Sequence, residues 1–202
     1  GRDLLKEYVD ACRANGLKVG FYFSPRDWHY PGLMHPNEFD AKTWRNLPPI
    51  TDSAANQQAY EQFLAFVMAQ MEELLTRYGK IDMLWLDGMN WRGVADMHTE
   101  QVYAWIRSLQ PGILVNDRWA NPDNPQGNGV SFGDFTTQFE CTLPTYIPSR
   151  WWDHCDIWTS TPGPGWGYDP NGAFRPLSWF FRHLAASRSL GGNFLINAGP
   201  SG

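Results

Sequence analysis

The sequence is poor in cysteine. Cys12, Cys141 and Cys155 make an odd count with no C-x-x-C spacing, so a disulfide framework and a zinc site are both poorly supported. No apolar run reaches the roughly 18 residues that a membrane span needs, and no membrane partner is expected. No basic run stands out and the formal net charge is -5, which argues against nucleic acid as a partner. No G-x-G-x-x-G follows a strand-like segment, so a dinucleotide site is not indicated. Short internal repeats, low-complexity tracts and linkers are also missing. No signal peptide is visible. The opening "GRDLLKEYVDACRANGLKVGFYF" is already inside a helix and reads as the middle of a larger domain.

What the chain has is bulk and indole. Its 202 residues are 43% hydrophobic and 15% aromatic, enough for one domain with a substantial core, taken as residues 1–202. It carries 11 tryptophans. Core filling accounts for about half of such a set. Sugar binding suits the rest, because the apolar C–H faces of a pyranose lie flat on an indole while its N–H can still hydrogen-bond. Trp28, Trp85, Trp91, Trp119, Trp152 and Trp166 sit beside charged or turn residues, a placement that favours a cleft for at least some of them.

Periodicity predicts alternating helices and strands. Residues 3–15 read as a helix with Leu4, Leu5, Tyr8, Val9 and Cys12 on one stripe, and "LKVGFYFS" (17–24) as a buried strand before a long loop at 25–51. A long helix over 53–78 places Tyr60, Phe63, Leu64, Val67, Met71, Leu74 and Leu75 on one face, and "IDMLWLD" (81–87) is the next strand. A helix at 99–110, a strand at 113–119, a loop at 120–129 and a short strand at 129–135 follow. Then come a short helix at 148–155, a strand at 156–160, a helix at 176–191 and a strand at 192–199. Such alternation implies parallel βαβ units. Polar residues end the strands: Ser24, Asp87, Asn116-Asp117-Arg118, Asp134, Ser160 and Asn197. Chemistry at C-terminal strand ends belongs to (β/α)8 barrels and to open α/β sheets alike. The barrel is the preferred reading, with six strands in place of eight.

Side chains alternate along a strand, so Ile81, Met83, Trp85 and Asp87 share one face of the 81–87 strand and Leu84 and Leu86 the other. Asp82 is out of phase at the N-terminal end and is a poor catalytic candidate. Asp87 points to the mouth, one pleat above Trp85. A cap for the turn at Gly88 explains it equally well. A glycosidase needs a second carboxyl group. Glu140 in "GDFTTQFECTLP" is the best candidate, because partial burial among uncharged neighbours would raise its pKa towards an acid role. Asp134 looks structural, in a tight corner.

The segments "GRDLLKEYVDACRANGLKVGFYFSPRDW", "YGKIDMLWLDG", "ILVNDRW", "GDFTT" and "SLGGNFLINAGPSG" occur in the order found in α-L-fucosidases of glycoside hydrolase family 29, which the chain resembles over nearly its whole length. The resemblance implies a (β/α)8 barrel and retaining double displacement on α-L-fucosides, without metal or organic cofactor. It makes Asp87 the nucleophile, Trp85 a wall of the fucose pocket and Arg118 the arginine beside the nucleophile. Tyr22 matches the first tyrosine of the family's Tyr-Tyr-Ser, with Phe23 in place of the second. Glu140 would be the acid/base, although "TTQFE" displaces it by about one residue from a Thr-x-Glu arrangement. The family's first two strands and their His-His-Asp-Gly motif do not occur in these residues. The expected fold is therefore a partial TIM-like barrel of strands three to eight.

His29 and Trp28 lie in the 25–51 loop that, by resemblance, edges the active-site mouth, and Trp166 is the further aromatic candidate for sugar contact. His35 and His98 read as structural, as does His183 on an apolar helix face. His154 is open, and spacing gives no metal-ligand cluster. The expected partner is a fucosylated glycan or glycoside. A homo-oligomer is also expected, through exposed barrel edges at "LKVGFYFS" and "GNFLINAG". A secreted or periplasmic location follows from the resemblance alone. The competing readings are a non-catalytic carbohydrate-binding fragment and a hydrolase of another sugar, such as a galactoside.

Overall fold

The computed structural model describes residues 1–25, 53–87, 98–119, 132–160 and 166–199, in two compact units, Gly1–Gly133 and Asp134–Gly202. Trp28, His29, His35 and Trp91 lie outside the described residues.

In the first unit, α1 (Leu4–Ala14) starts where the Asp3 carboxylate accepts from the Lys6 amide at 3.0 Å, an N-cap with Glu7 in the first turn. Its last turn carries Arg13, which donates to the carbonyls of Tyr78 (2.6 Å) and Lys80 (2.7 Å). Val9 is buried, while Leu4, Leu5 and Tyr8 of the expected stripe are exposed. The long helix α2 (Ser53–Arg77) buries the expected face: Tyr60, Phe63, Leu64, Val67, Met71 and Leu75, with Leu74 packed at its margin. These residues recur at helical spacing, so each turn adds apolar area to one seam. Phe63 is fully buried, and truncating it to alanine should cost about 3–5 kcal/mol. Gly79 ends the helix at φ 70°, a left-handed conformation that suits glycine. The Gln110 amide then donates to the carbonyls of Leu75 (2.7 Å) and Gly79 (2.9 Å), satisfying two groups at that end.

Three parallel strands complete this unit in the order β1–β2–β3: β1 (Gly20–Phe23), β2 (Met83–Leu86) and β3 (Leu114–Val115). Phe21, Phe23, Leu84, Leu86 and Val115 join the core with α2 and with Val102, Tyr103 and Ile106 of α3 (Thr99–Leu109). Of the strand expected over 113–119, two residues pair with β2 among the described residues. Beyond them the buried Asn116 side chain takes over the ladder, accepting from the Leu86 amide (2.8 Å) and donating to the Leu86 carbonyl (2.9 Å).

The second unit holds β4 (Thr136–Glu140), β5 (Trp152–Ile157) and β8 (Asn193–Asn197), parallel in the order β4–β5–β8, with α4 (Leu177–Ser189) preceding β8. Two short strands, β6 (Thr159–Ser160) and β7 (Ala173–Phe174), form a separate antiparallel pair. Two expectations are corrected. The short helix over 148–155 is absent, and Trp152–Ile157 is instead a central strand, buried at all six positions and paired on both sides. The strand placed at 129–135 lies further along as β4, while residues 133–134 form a bend. The first error has a physical cause: a strand covered on both faces loses its alternation, so residues such as Asp153, His154 and Asp156 carry no visible period. The observed architecture is α/β with parallel-strand sheets. Among the described residues, no helix is long and apolar enough to cross a membrane.

Candidate active site

In the first unit, the C-terminal ends of three parallel strands bring Tyr22, Trp85, Asp87 and Arg118 together. Tyr22 and Trp85 are register partners across β1 and β2, so they leave the sheet on the same face, and their rings stack at 5.6 Å. Asp87 follows two residues after Trp85, and its amide donates to the Phe23 carbonyl at 3.0 Å. Its carboxylate is held at both oxygens: the Tyr22 hydroxyl donates to Oδ2 at 2.7 Å, and Arg118 Nη2 meets Oδ1 at 2.9 Å. The Arg118 guanidinium also lies 4.9 Å from the centre of the Trp85 ring. The Asp87 side chain keeps 25% of its surface and that of Arg118 16%, so the pair is partly desolvated yet reachable. Desolvation, then the adjacent Asp87 carboxylate, push the Tyr22 phenol well above its ordinary value, so it stays a donor.

Asn116 is the residue that sequence reasoning missed as a support. It fixes the peptide of Leu86, the last residue before Asp87, and its own carbonyl accepts from the Tyr103 hydroxyl at 2.6 Å. A Cβ on Gly133 would meet the backbone of Asn116 at 2.6 Å, so this segment packs where only glycine fits. The signal was present as a polar residue after an apolar strand, but nothing local says that its amide replaces a strand.

In the second unit, Glu140 is the last residue of β4 rather than part of a following loop, and it is exposed rather than partly buried. The β4–β5 register shifts between Thr137 and Phe139, with Thr137 opposite Asp153 and Glu140 opposite Cys155. This β-bulge decides where Glu140 points. In an unbulged strand of the same sequence Thr137 and Glu140 would leave opposite faces; with the bulge, both share the face of Asp153 and Cys155. The other face, with His154 and Asp156, packs towards α4. Asn197 ends β8, and its side chain donates to the Trp166 carbonyl at 2.8 Å. The Trp166 ring is exposed. Trp119 and Trp152 are buried in their units, so these two belong with the core-filling tryptophans. Trp85 is only 6% exposed, so it supports Tyr22 and Arg118 more than it offers open surface.

Comparison with known proteins gives a consistent result. A family model described as Alpha-L-fucosidase matches residues 1–202. The chain is 26% identical to the tissue alpha-L-fucosidase of Homo sapiens, over 99% of this chain and 39% of that protein. Among solved structures, alpha-L-fucosidase isoenzyme 1 from Paenibacillus thiaminolyticus is 30% identical with a TM-score of 0.73, over 99% of this chain and 47% of that one. A GH29 alpha-L-fucosidase from Bacteroides thetaiotaomicron, trapped as a covalent intermediate with 2-fluoro-fucosyl fluoride, is 27% identical with a TM-score of 0.73, over 98% of this chain and 45% of that one. The chain thus spans about two fifths of the length of the curated relatives it matches.

Proposed function

This chain belongs to the alpha-L-fucosidase family, and we propose that it acts as a retaining glycoside hydrolase on terminal α-L-fucosyl residues. The carrying observation is the clamp on Asp87, a strand-end carboxylate with a donor on each oxygen. In this reading one Asp87 oxygen attacks the anomeric carbon as the bond to the leaving oxygen breaks, and Glu140 gives that oxygen its proton. The glycosyl ester is then cleaved by water, which Glu140 deprotonates, restoring both carboxyl groups. Arg118 and Tyr22 hold the carboxylate in one orientation. The bulge supports Glu140 in this role, because it takes up the one residue by which "TTQFE" exceeds a Thr-x-Glu spacing. Retention requires the two carboxyl groups about 5–5.5 Å apart. Trp85, Trp28, His29 and Trp166 complete the proposed sugar contacts. The covalent intermediate described for the Bacteroides thetaiotaomicron enzyme supports the double displacement by analogy.

The same reading takes both sheets as parts of one (β/α)8-type catalytic domain over residues 1–202. Within their sheets β1 pairs only with β2, and β8 only with β5, among the described residues. Those edges support the self-association proposed for the chain. A second reading is a carbohydrate-binding fragment without turnover, for which the exposed Trp166 ring offers a surface on which a sugar could stack. Hydrolysis of a chromogenic α-L-fucoside by this polypeptide tests both. Azide rescue of an Asp87→Gly variant, giving the fucosyl azide, is the expected sign of a carboxylate nucleophile. Fucose binding with no turnover in the unsubstituted chain would favour the second reading.

A further inference from the structure

Three ionisable side chains meet in the second unit, where a helix packs on a sheet and apolar contacts are the rule. His154 and Asp156 project from the same face of β5, two residues apart, and His183 comes from α4. They are 0%, 3% and 7% exposed. Asp156 Oδ2 lies 3.4 Å from His154 Nε2 and 3.2 Å from His183 Nδ1. Neither ring nitrogen makes a hydrogen bond among the described residues. Two buried nitrogens beside a buried carboxylate, without hydrogen-bond alignment, are costly unless something else satisfies them.

The surroundings say what that is. The Ser187 hydroxyl donates to the His183 carbonyl at 2.9 Å, which leaves its oxygen to accept from His154 Nδ1 at 3.0 Å. That assignment puts a proton on His154 Nδ1 and leaves Nε2 as the nitrogen that faces the carboxylate. Asp156 uses Oδ1 to accept from the Ile157 amide at 2.7 Å, so Oδ2 alone serves the cluster. His183 Nδ1 faces the same carboxylate oxygen from α4, 3.2 Å away, and is likewise without a hydrogen bond among the described residues. Two ring nitrogens and one carboxylate oxygen thus converge on a single buried point, an arrangement that a bound cation would satisfy.

We propose that His154 Nε2, Asp156 Oδ2 and His183 Nδ1 bind one divalent first-row transition ion of the zinc type, which ties β5 to α4. Bonds of about 2.0–2.2 Å in a tetrahedral set put donor atoms about 3.3–3.5 Å apart, close to the two separations found here. All three donor atoms lie within 4.8 Å of one another, and the His154–His183 gap is the one that binding closes. Imidazole and carboxylate donors suit such an ion, and a fourth position is left for water. Ser187 acts as the outer hydrogen-bond partner that fixes the His154 tautomer. The rings of Trp179, at 4.0 Å from His183, and Phe194, at 5.1 Å from His154, wall the site with apolar surface.

Chelator-stripped chain titrated with zinc chloride tests this directly. About one equivalent should be taken up, with a rise of several degrees in Tm. Folded His183→Gln and His154→Gln variants should each lose that uptake. Cobalt(II) loaded into the unsubstituted chain gives a reading that does not depend on the variants folding: intense visible bands of a four-coordinate ion are expected. Uptake far below one equivalent, a cobalt spectrum like that of the aqua ion, or full uptake by a folded His183→Gln variant would each overturn the assignment. None of these readouts involves turnover, so they stand or fall apart from the fucosidase reading.

Discussion

Asp82 and Asp87 stand at opposite ends of one strand and do opposite work. Asp82 precedes β2 and faces lysines: Lys80 at 3.0 Å and Lys18 at 3.8 Å, with the Val19 amide donating to its carboxylate at 2.9 Å. Its partners are solvated amines and a neighbouring strand, and its peptide also links all three strands, donating to Val19 and accepting from Leu114. Asp87 follows β2 and faces groups fixed by packing, a phenol stacked on an indole and a guanidinium lying over the same indole. The first arrangement ties strands together. The second holds a carboxylate in one orientation and leaves a quarter of its surface open. Parallel sheets place chemistry at the C-terminal end, and the difference between the two acids follows that polarity.

The sharpest way to break the comparison is to neutralise Asp87. Asp87→Asn keeps shape and loses the nucleophile, so fucoside turnover should fall on the order of 10³-fold or more with Tm nearly unchanged. Near-normal kcat in this variant would reduce Asp87 to the turn cap that its Asp-Gly context also allows.

Glu140 ranks next. Glu140→Ala should cost about 10²–10⁴-fold on fucosides with poor leaving groups and much less on activated aryl fucosides. Equal loss on both substrate classes would point to a structural role for Glu140 and redirect the search to Asp134.

Tyr22 and Arg118 should give intermediate effects. Tyr22→Phe removes the donor to Oδ2 and keeps the stack on Trp85. Arg118→Lys keeps the charge and loses the planar group lying over the indole. Each should lower kcat on the order of 10–100-fold, by letting the carboxylate drift from its aim. If kcat held and only KM rose, the clamp would be a sugar contact rather than a positioning device.

The first unit was legible in the sequence because its signals are periodic. α2 shows its seam at every turn, and the 81–87 segment places Trp85 and Asp87 in phase and Asp82 out of it. What the sequence hid depends on contacts distant along the chain. Asn116 acts on Leu86 across strands, and the bulge at Thr137–Phe139 exists only relative to β5. The cluster of His154, Asp156 and His183 joins an i, i+2 pair on a strand to a residue on a helix, so no single spacing encodes it. Reading His183 as a satisfied structural histidine followed from its apolar helix face, and the strand it meets was itself misread as a helix. Trp119 and Trp152 show the same limit, since a polar neighbour in sequence says little about the side of the sheet on which an indole falls.

The smallest expected effect belongs to Asp82, and it should appear in stability rather than turnover. Its carboxyl sits below the ordinary value, first because the Val19 amide donates to it and next because of Lys80. A group whose folded pKa is depressed stabilises the fold in full above its unfolded value, and that contribution is lost as pH falls through the folded one. Asp82→Asn should therefore lower stability by about 1 kcal/mol at neutral pH, the scale of one charge-assisted hydrogen bond with solvated ion pairs. The deficit relative to the unsubstituted chain should shrink as pH drops below the ordinary aspartate value of 3.8, where both chains lack the charge. Urea titrations of the two chains at neutral and acidic pH, beside kcat on a chromogenic fucoside, would read both quantities. A large fall in kcat at unchanged Tm would show that the two ends of β2 are not divided between structure and chemistry in this way.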